Sequence, residues 1–143
     1  MEAQRGDLVR IGALELRFLI DETSGSGSLV MFEFVVPPDA RVPAPHFHKD
    51  VDEVIYALEG TTTTTLDGHK HELRAGQSLF VPRGSVHTHE NLHSDTARSL
   101  IVMTPGTIGR RYFEEVAREV NAPGKPDLAK VKEIMLRHGL VPA

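Results

Sequence analysis

Two stretches decide how this chain reads: HFHKDVDEVIYALEG at residues 46–60 and GQSLFVPRGSVHTHEN at residues 76–91. In the first, His46 and His48 are two residues apart. On a strand that spacing puts both rings on one face, with Cα atoms roughly 6.6 Å apart. Glu53 follows far enough behind His48 for the chain to turn and offer a carboxylate from the next strand. Two neutral imidazoles and one carboxylate are the minimal set that holds a divalent metal and leaves positions open. A pair of histidines satisfied without any ion is the alternative, and spacing alone leaves it open.

Seven of the eight histidines lie between positions 46 and 93, and six of those form His-x-His pairs: His46/His48, His69/His71 and His87/His89. Asp67–Gly68 sits between Thr61–Leu66 and His69–Leu73. Both turn residues tolerate positive φ, so a two-residue hairpin is expected there. The β-branched run Thr61–Thr65 suits its first strand. His69 and His71 follow the turn on a polar strand and are expected at the surface.

Further out, Leu8–Ile20 (as two strands), Leu29–Val36, Glu53–Leu58, Ser78–Val81, Val86–His89 and Ala97–Thr104 read as short strands separated by Gly, Pro and Asp. After Pro105 the pattern changes to helical. Thr107 is expected to cap a helix over Ile108–Val120. Asp127 is expected to cap a second over Leu128–His138, with an apolar stripe of Leu128, Val131, Ile134 and Met135 and a stop at Gly139. Both helices are expected to pack outside the β-domain.

At 143 residues one domain is expected, with a barrel over about 8–104 and a helical extension over about 107–139. There is no Cys, so disulfides, thiolate metal sites and thiol nucleophiles are excluded. A formal charge of −4 with scattered basic residues argues against nucleic acid as a partner. No run approaches the roughly 20 apolar residues of a spanning helix. The polar opening Met1–Asp7 carries no signal-peptide core, and a cytoplasmic protein is the expectation. No nucleophile elbow, phosphate loop or dinucleotide fingerprint is present, which leaves metal chemistry.

The two stretches together resemble the cupin superfamily, of the small single-domain, quercetin dioxygenase-like type. His46, His48, Glu53 and Gly60 match the first motif, and Gly76, Pro82, Gly84, His87 and Asn91 match the second. The resemblance covers about Leu29–Thr104. It implies an all-β double-stranded β-helix, a jelly-roll barrel, with the two C-terminal α-helices packed outside. It also implies His46, His48, Glu53 and His87 as ligands of a divalent transition metal (Fe, Mn, Ni, Co, Cu or Zn), Gly60, Gly76, Pro82 and Gly84 as turn formers, and Asn91 as a structural polar group. Ala40 stands where the family carries a glycine, and Asp39 beside it is expected to absorb the turn.

His89 alternates to the same face as His87. It is a candidate catalytic or proton-shuttling group with Glu53, or else a histidine filling an aromatic-sized slot. Asp50 and Asp52 are expected in solvent, and His93 in a polar loop. His138, in the last helical turn, is read as structural. Val30, Phe32, Phe34, Ile55, Phe80 and Val86 are the candidate walls of an apolar pocket.

The function this implies is a metal-dependent dioxygenase acting on an enolisable or hydroxylated small molecule. The alternatives are a metal-dependent isomerase or lyase acting on a sugar or keto acid, and a non-catalytic small-ligand module. A homodimer is expected through the N-terminal run Leu8–Ile20.

Overall fold

A computed structural model describes residues 6–42 and 44–143, so Met1–Arg5 of the opening stretch lies outside the described residues. The strands are β1 (Asp7–Ile11), β2 (Leu14–Ile20), β3 (Val30–Val36), β4 (His46–His48), β5 (Asp52–Glu59), β6 (Thr61–Leu66), β7 (His69–Arg74), β8 (Ser78–Val81), β9 (His87–Glu90), β10 (Ala97–Thr104) and β11 (Leu140–Pro142). The helices α1 (Arg110–Val120) and α2 (Leu128–Arg137) precede β11. Two antiparallel sheets, ordered β1-β2-β3-β10-β5-β8 and β11-β4-β9-β6-β7, form the double-stranded β-helix.

Strict alternation builds the interior. Val30, Phe32, Phe34 and Val36 on β3 and Ala97, Ser99, Ile101 and Met103 on β10 are buried, while their neighbours are half-exposed. The Asp67–Gly68 turn has positive φ at both residues, 47° and 84°, and sets the register Leu66↔His69. Asp39 takes φ 64° beside Ala40, so the turn is kept without the family's glycine. Gly60 has φ 66°, and a Cβ there would lie 2.4 Å from the Thr96 carbonyl oxygen, so a side chain has no room.

Both helices pack outside the barrel wall, and α1 also closes its interior. Phe113 packs tilted against Phe18 and edge-on against Phe32, with ring centroids 5.6 and 5.4 Å apart, joining the aromatic core to the helix. Both ends of α1 are tied down over long sequence distances. The Glu22 carboxylate accepts from the amides of Arg110 and Arg111 at 3.0 and 3.1 Å. At the other end, the Asn121 side chain accepts from the Gly12 amide at 2.8 Å and donates to the Arg10 carbonyl at 2.7 Å.

Several expectations need correcting. Helix α1 starts at Arg110 with Gly109 as N-cap and no side-chain cap bond from that residue, so Thr107 does not cap it. Glu22, far away in sequence, serves those amides instead, and a Cβ on Gly109 would strike its carboxylate at 2.1 Å. Helix α2 does start at Asp127, whose carboxylate accepts from Ala129 and Lys130, but Leu128 is 74% exposed and drops out of the stripe. Phe80 is 55% exposed, on the outer face of β8, and Val86 is only half-buried. Strands β4 and β11, three residues each and paired Leu140↔His48, were too short to carry a periodic signal.

Candidate metal centre

Strand β4 presents His46 and His48 inward, and β9 presents His87 and His89. The two strands pair antiparallel with His46 directly opposite His87. Glu53 comes from β5 in the other sheet, where it sits in register with Val81 and Met103. All five residues are at least 92% buried.

The backbone fixes two of the rings. His46 donates Nδ1–H to the Ala44 carbonyl, and His87 donates Nδ1–H to the Ser85 carbonyl, each at 3.0 Å. Both therefore turn an unprotonated Nε2 into the barrel, the tautomer a metal needs. The Nε2 atoms of His46 and His48 are 3.3 Å apart. Two ligands bonded to one ion at about 2.1 Å stand about 3.0 Å apart in an octahedral and about 3.4 Å apart in a tetrahedral arrangement, so the spacing fits a shared ion of either geometry. His48 Nδ1 is buried without a partner among the described residues.

Burial is the main reason the imidazoles stay neutral. It brings His46 down to about 3, with the neighbouring His87 charge adding to it, and His48 down to about 4 against the opposing pull of Glu53. His87 is lowered for the same reason. Burial works to raise Glu53, but the His89 hydrogen bond and the charges of His89, His87 and His48 outweigh it, so the carboxyl lies well below its usual range.

The five donors form two overlapping groups. Atoms of His46, His48 and His87 lie within 4.8 Å of one another, and so do atoms of Glu53, His87 and His89. His87 is common to both. The Glu53 carboxylate is turned toward His89, with Oε2 at 2.8 Å from Nε2, while Oε1 stands 4.0 Å from His87 Nε2. Sequence reasoning missed Thr64, whose hydroxyl lies 2.8 Å from His89 Nδ1. Five consecutive threonines gave no means of choosing one, because the choice depends on the β6–β9 register that puts Thr64 opposite His89.

Other candidates fall away from this group. Asp52 turns outward to the Arg83 guanidinium. His93 meets Glu72 at the surface, and His138, the C-cap of α2, lies against Tyr112 and Glu115. Asn91 is the structural group expected: fully buried, it donates to the carbonyls of Val36 and Asp95 and accepts from the His93 amide.

The donors sit in the wall of a cavity of about 90 Å³ that is otherwise apolar, lined by Leu14, Phe32, Phe34 and Met103 and closed by Tyr112 and Phe113 of α1. Burial pushes the Tyr112 phenol up, so this lining residue stays un-ionised.

The cupin-domain family model matches residues 32–103, the span that holds both motifs. The chain belongs to the cupin family. Among relatives of this cupin, quercetin 2,3-dioxygenase of Bacillus subtilis is 28% identical over 86% of this chain and 34% of its own length. Polyketide synthase CurC of Streptomyces cyaneus is 32% identical over 64% of this chain and 59% of its own. This cupin thus spans about a third to three fifths of the length of these relatives. Among solved structures, a predicted oxalate decarboxylase of Thermotoga maritima superposes with a TM-score of 0.65 at 20% identity, over 73% of this chain and 99% of that chain. That likeness shows the cupin fold. The buried His/Glu group is able to hold a metal ion, and no helix among the described residues is long and apolar enough to cross a membrane.

Proposed function

We propose that this cupin is a small metal-dependent dioxygenase acting on an enolisable or hydroxylated organic substrate, in the manner of a quercetinase. The observation that carries the reading is a set of neutral imidazoles and one ionised carboxylate in the wall of an otherwise apolar cavity. His46, His48, His87 and Glu53 are the residues that would hold a divalent ion, which would supply Lewis-acid polarisation of a substrate oxygen and a place for dioxygen.

The chain's own residues do the rest. Glu53 Oε1, free of hydrogen bonds among the described residues, takes the proton of an enol or phenol. His89 Nε2 steadies the other oxygen, so His89 acts on the reaction through Glu53. Phe32, Phe34 and the lid residues Tyr112 and Phe113 exclude water and offer flat faces to a planar substrate.

Cavity size narrows the substrate. At about 90 Å³ the space is smaller than the roughly 150 Å³ of an engineered apolar cavity that binds benzene. A space of that size admits a small enol without rearrangement, whereas a phenol, a larger diketone or a flavonol requires the cavity wall to open. The apolar lining also disfavours a sugar. An oxygen electrode tests the reading: metal-loaded protein should consume oxygen on addition of at least one member of a flavonol, diketone and thiol panel. No substrate-dependent uptake across that panel rejects it.

The likeness to a polyketide synthase protein favours one second reading, proton transfer or lyase chemistry on an enolisable chain without oxygen. Turnover that persists anaerobically would select it. For assembly we propose a homodimer through β1, which lies at an edge of its sheet. Light scattering that gives a monomer near 15.8 kDa rejects this.

A further inference from the structure

We propose that Thr64 and His89 form a tether that reserves one oxygen of Glu53, so that Glu53 meets a bound divalent ion through Oε1 alone. The proposal rests on the metal-centre reading above and adds to it what His89 and Thr64 do there. Four histidines and a carboxylate crowd one space, and distances alone do not say which of them are ligands.

Hydrogen bonds do say so. His46 and His87 each give Nδ1 to a carbonyl and keep Nε2 free. In His89 both nitrogens are engaged, Nδ1 with the Thr64 hydroxyl and Nε2 with Glu53 Oε2, each at 2.8 Å. An ionised carboxylate only accepts, so Nε2 carries the proton toward it. In the neutral ring Nδ1 then accepts from the Thr64 hydroxyl. In neither protonation state does His89 have a lone pair to offer an ion, so the Glu53–His87–His89 group is no second metal site. Its role is to hold the carboxylate.

The holder is rigid. Thr64 is 0% exposed and in register opposite His89. His89 is buried, and its ring meets Phe34 edge-on at 6.1 Å. A chelating carboxylate presents both oxygens to the ion at similar distances, but Oε2 is held on His89 while Oε1 lies toward His87. Glu53 thus acts as ligand and as base through the same oxygen. Three imidazoles and one oxygen leave an octahedral ion two open positions, where a chelating carboxylate would leave one. The tether therefore sets how many substrate oxygens the centre accepts.

The test uses cobalt(II)-loaded protein and the carboxylate bands of its infrared difference spectrum, assigned to Glu53 with Glu53→Gln. Wild type should show the wide separation between antisymmetric and symmetric stretches that marks one-oxygen coordination. His89→Phe should narrow it toward the chelating value, Thr64→Val should narrow it part-way, and His89→Gln, which keeps an N–H donor, should restore it. Circular dichroism checks that each variant folds, and elemental analysis checks cobalt content. Failure of wild type to bind cobalt overturns the metal-centre reading and the tether with it. Cobalt bound with a narrow separation in wild type overturns the tether alone, as does a wide separation that neither variant changes. Should His89→Phe not fold, the wild-type spectrum and Thr64→Val decide.

Discussion

Strands β9 and β7 carry the same signature, His87-x-His89 and His69-x-His71, and the register places them in the same two rows of one sheet. His87 and His69 both pair with Leu66, and His89 and His71 both pair with Thr64, so all four rings leave the sheet on one face. Yet His87 and His89 are buried in the candidate centre, while His71 is half-buried and His69 exposed. The column makes the difference. β9 lies between β4 and β6, and β4 brings His46 directly opposite His87. β7 is an edge strand, displaced by two strand spacings of about 4.8 Å each, with no imidazole across from it. A His-x-His pair thus announces a shared face, and its neighbours in the sheet decide whether that face does chemistry.

The largest effect that could break this comparison is on metal content. His87→Ala removes the one residue common to both donor groups and should lower affinity at least about 100-fold, since loss of an outer-shell partner alone costs 10–100-fold. The double variant His69→Ala/His71→Ala should keep wild-type metal content by elemental analysis. Equal loss from both proteins would mean that position in the sheet does not matter.

Next in size is a pH effect on the metal-free protein. Histidines of the unfolded chain take up protons below about pH 6.5. His46 and His48 in the fold stay neutral until about 3 and 4. The unfolded state therefore gains protons that the folded state refuses, and stability falls as pH falls. Between pH 7 and 5.5 the loss should be about 1 kcal/mol for each of the two rings. Glu53, lowered in the fold, adds a loss of the same sign at more acidic pH, where the unfolded carboxylate protonates first. Urea unfolding at the two pH values measures the slope. A flat profile in wild type would contradict the buried neutral cluster.

These contrasts also show what was legible beforehand. The β-strands of four or more residues and the shared face of each His-x-His pair were readable because spacing, alternation and the Asp67–Gly68 turn are local properties. Thr64, Glu22 and the lid were not. Thr64 matters through the β6–β9 register, Glu22 through a contact 88 residues away with the Arg110 amide, and Tyr112 and Phe113 through where α1 settles. A helix stripe states that one side is buried, and nothing local says that the buried side closes a cavity.

Turn geometry separates the two strands as well. Gly68→Ala forces a side chain into φ 84° with no steric contact, and should cost about 1 kcal/mol by urea unfolding while leaving metal content unchanged. On the β9 side, Asn91→Ala strands two carbonyls and an amide and should cost about 3 kcal/mol, with metal affinity falling as the strand loosens. Similar metal affinities in the two variants would show that the β9 anchor does not position the ligands.

The smallest effect is the most discriminating about environment. Each half of the comparison holds one histidine–carboxylate contact of similar length: His89–Glu53 at 2.8 Å with both side chains 5% exposed, and His93–Glu72, reaching β7, at 3.1 Å with side chains 37% and 49% exposed. The chemistry is the same and only the surroundings differ. In water a pair of this kind contributes about 0.5 kcal/mol or less and is screened by salt. Glu72→Gln should therefore change stability by no more than about that amount, and the difference should vanish in 1 M salt, roughly a 3 Å Debye length. Glu53→Gln, measured in the same urea titrations, removes the charge that faces His87, His89 and His48, and its effect should persist at high salt because no ions reach it. If salt erased both effects alike, the buried cluster would be as wet as the surface pair, and water would reach the donors that the apolar lining and the α1 lid enclose.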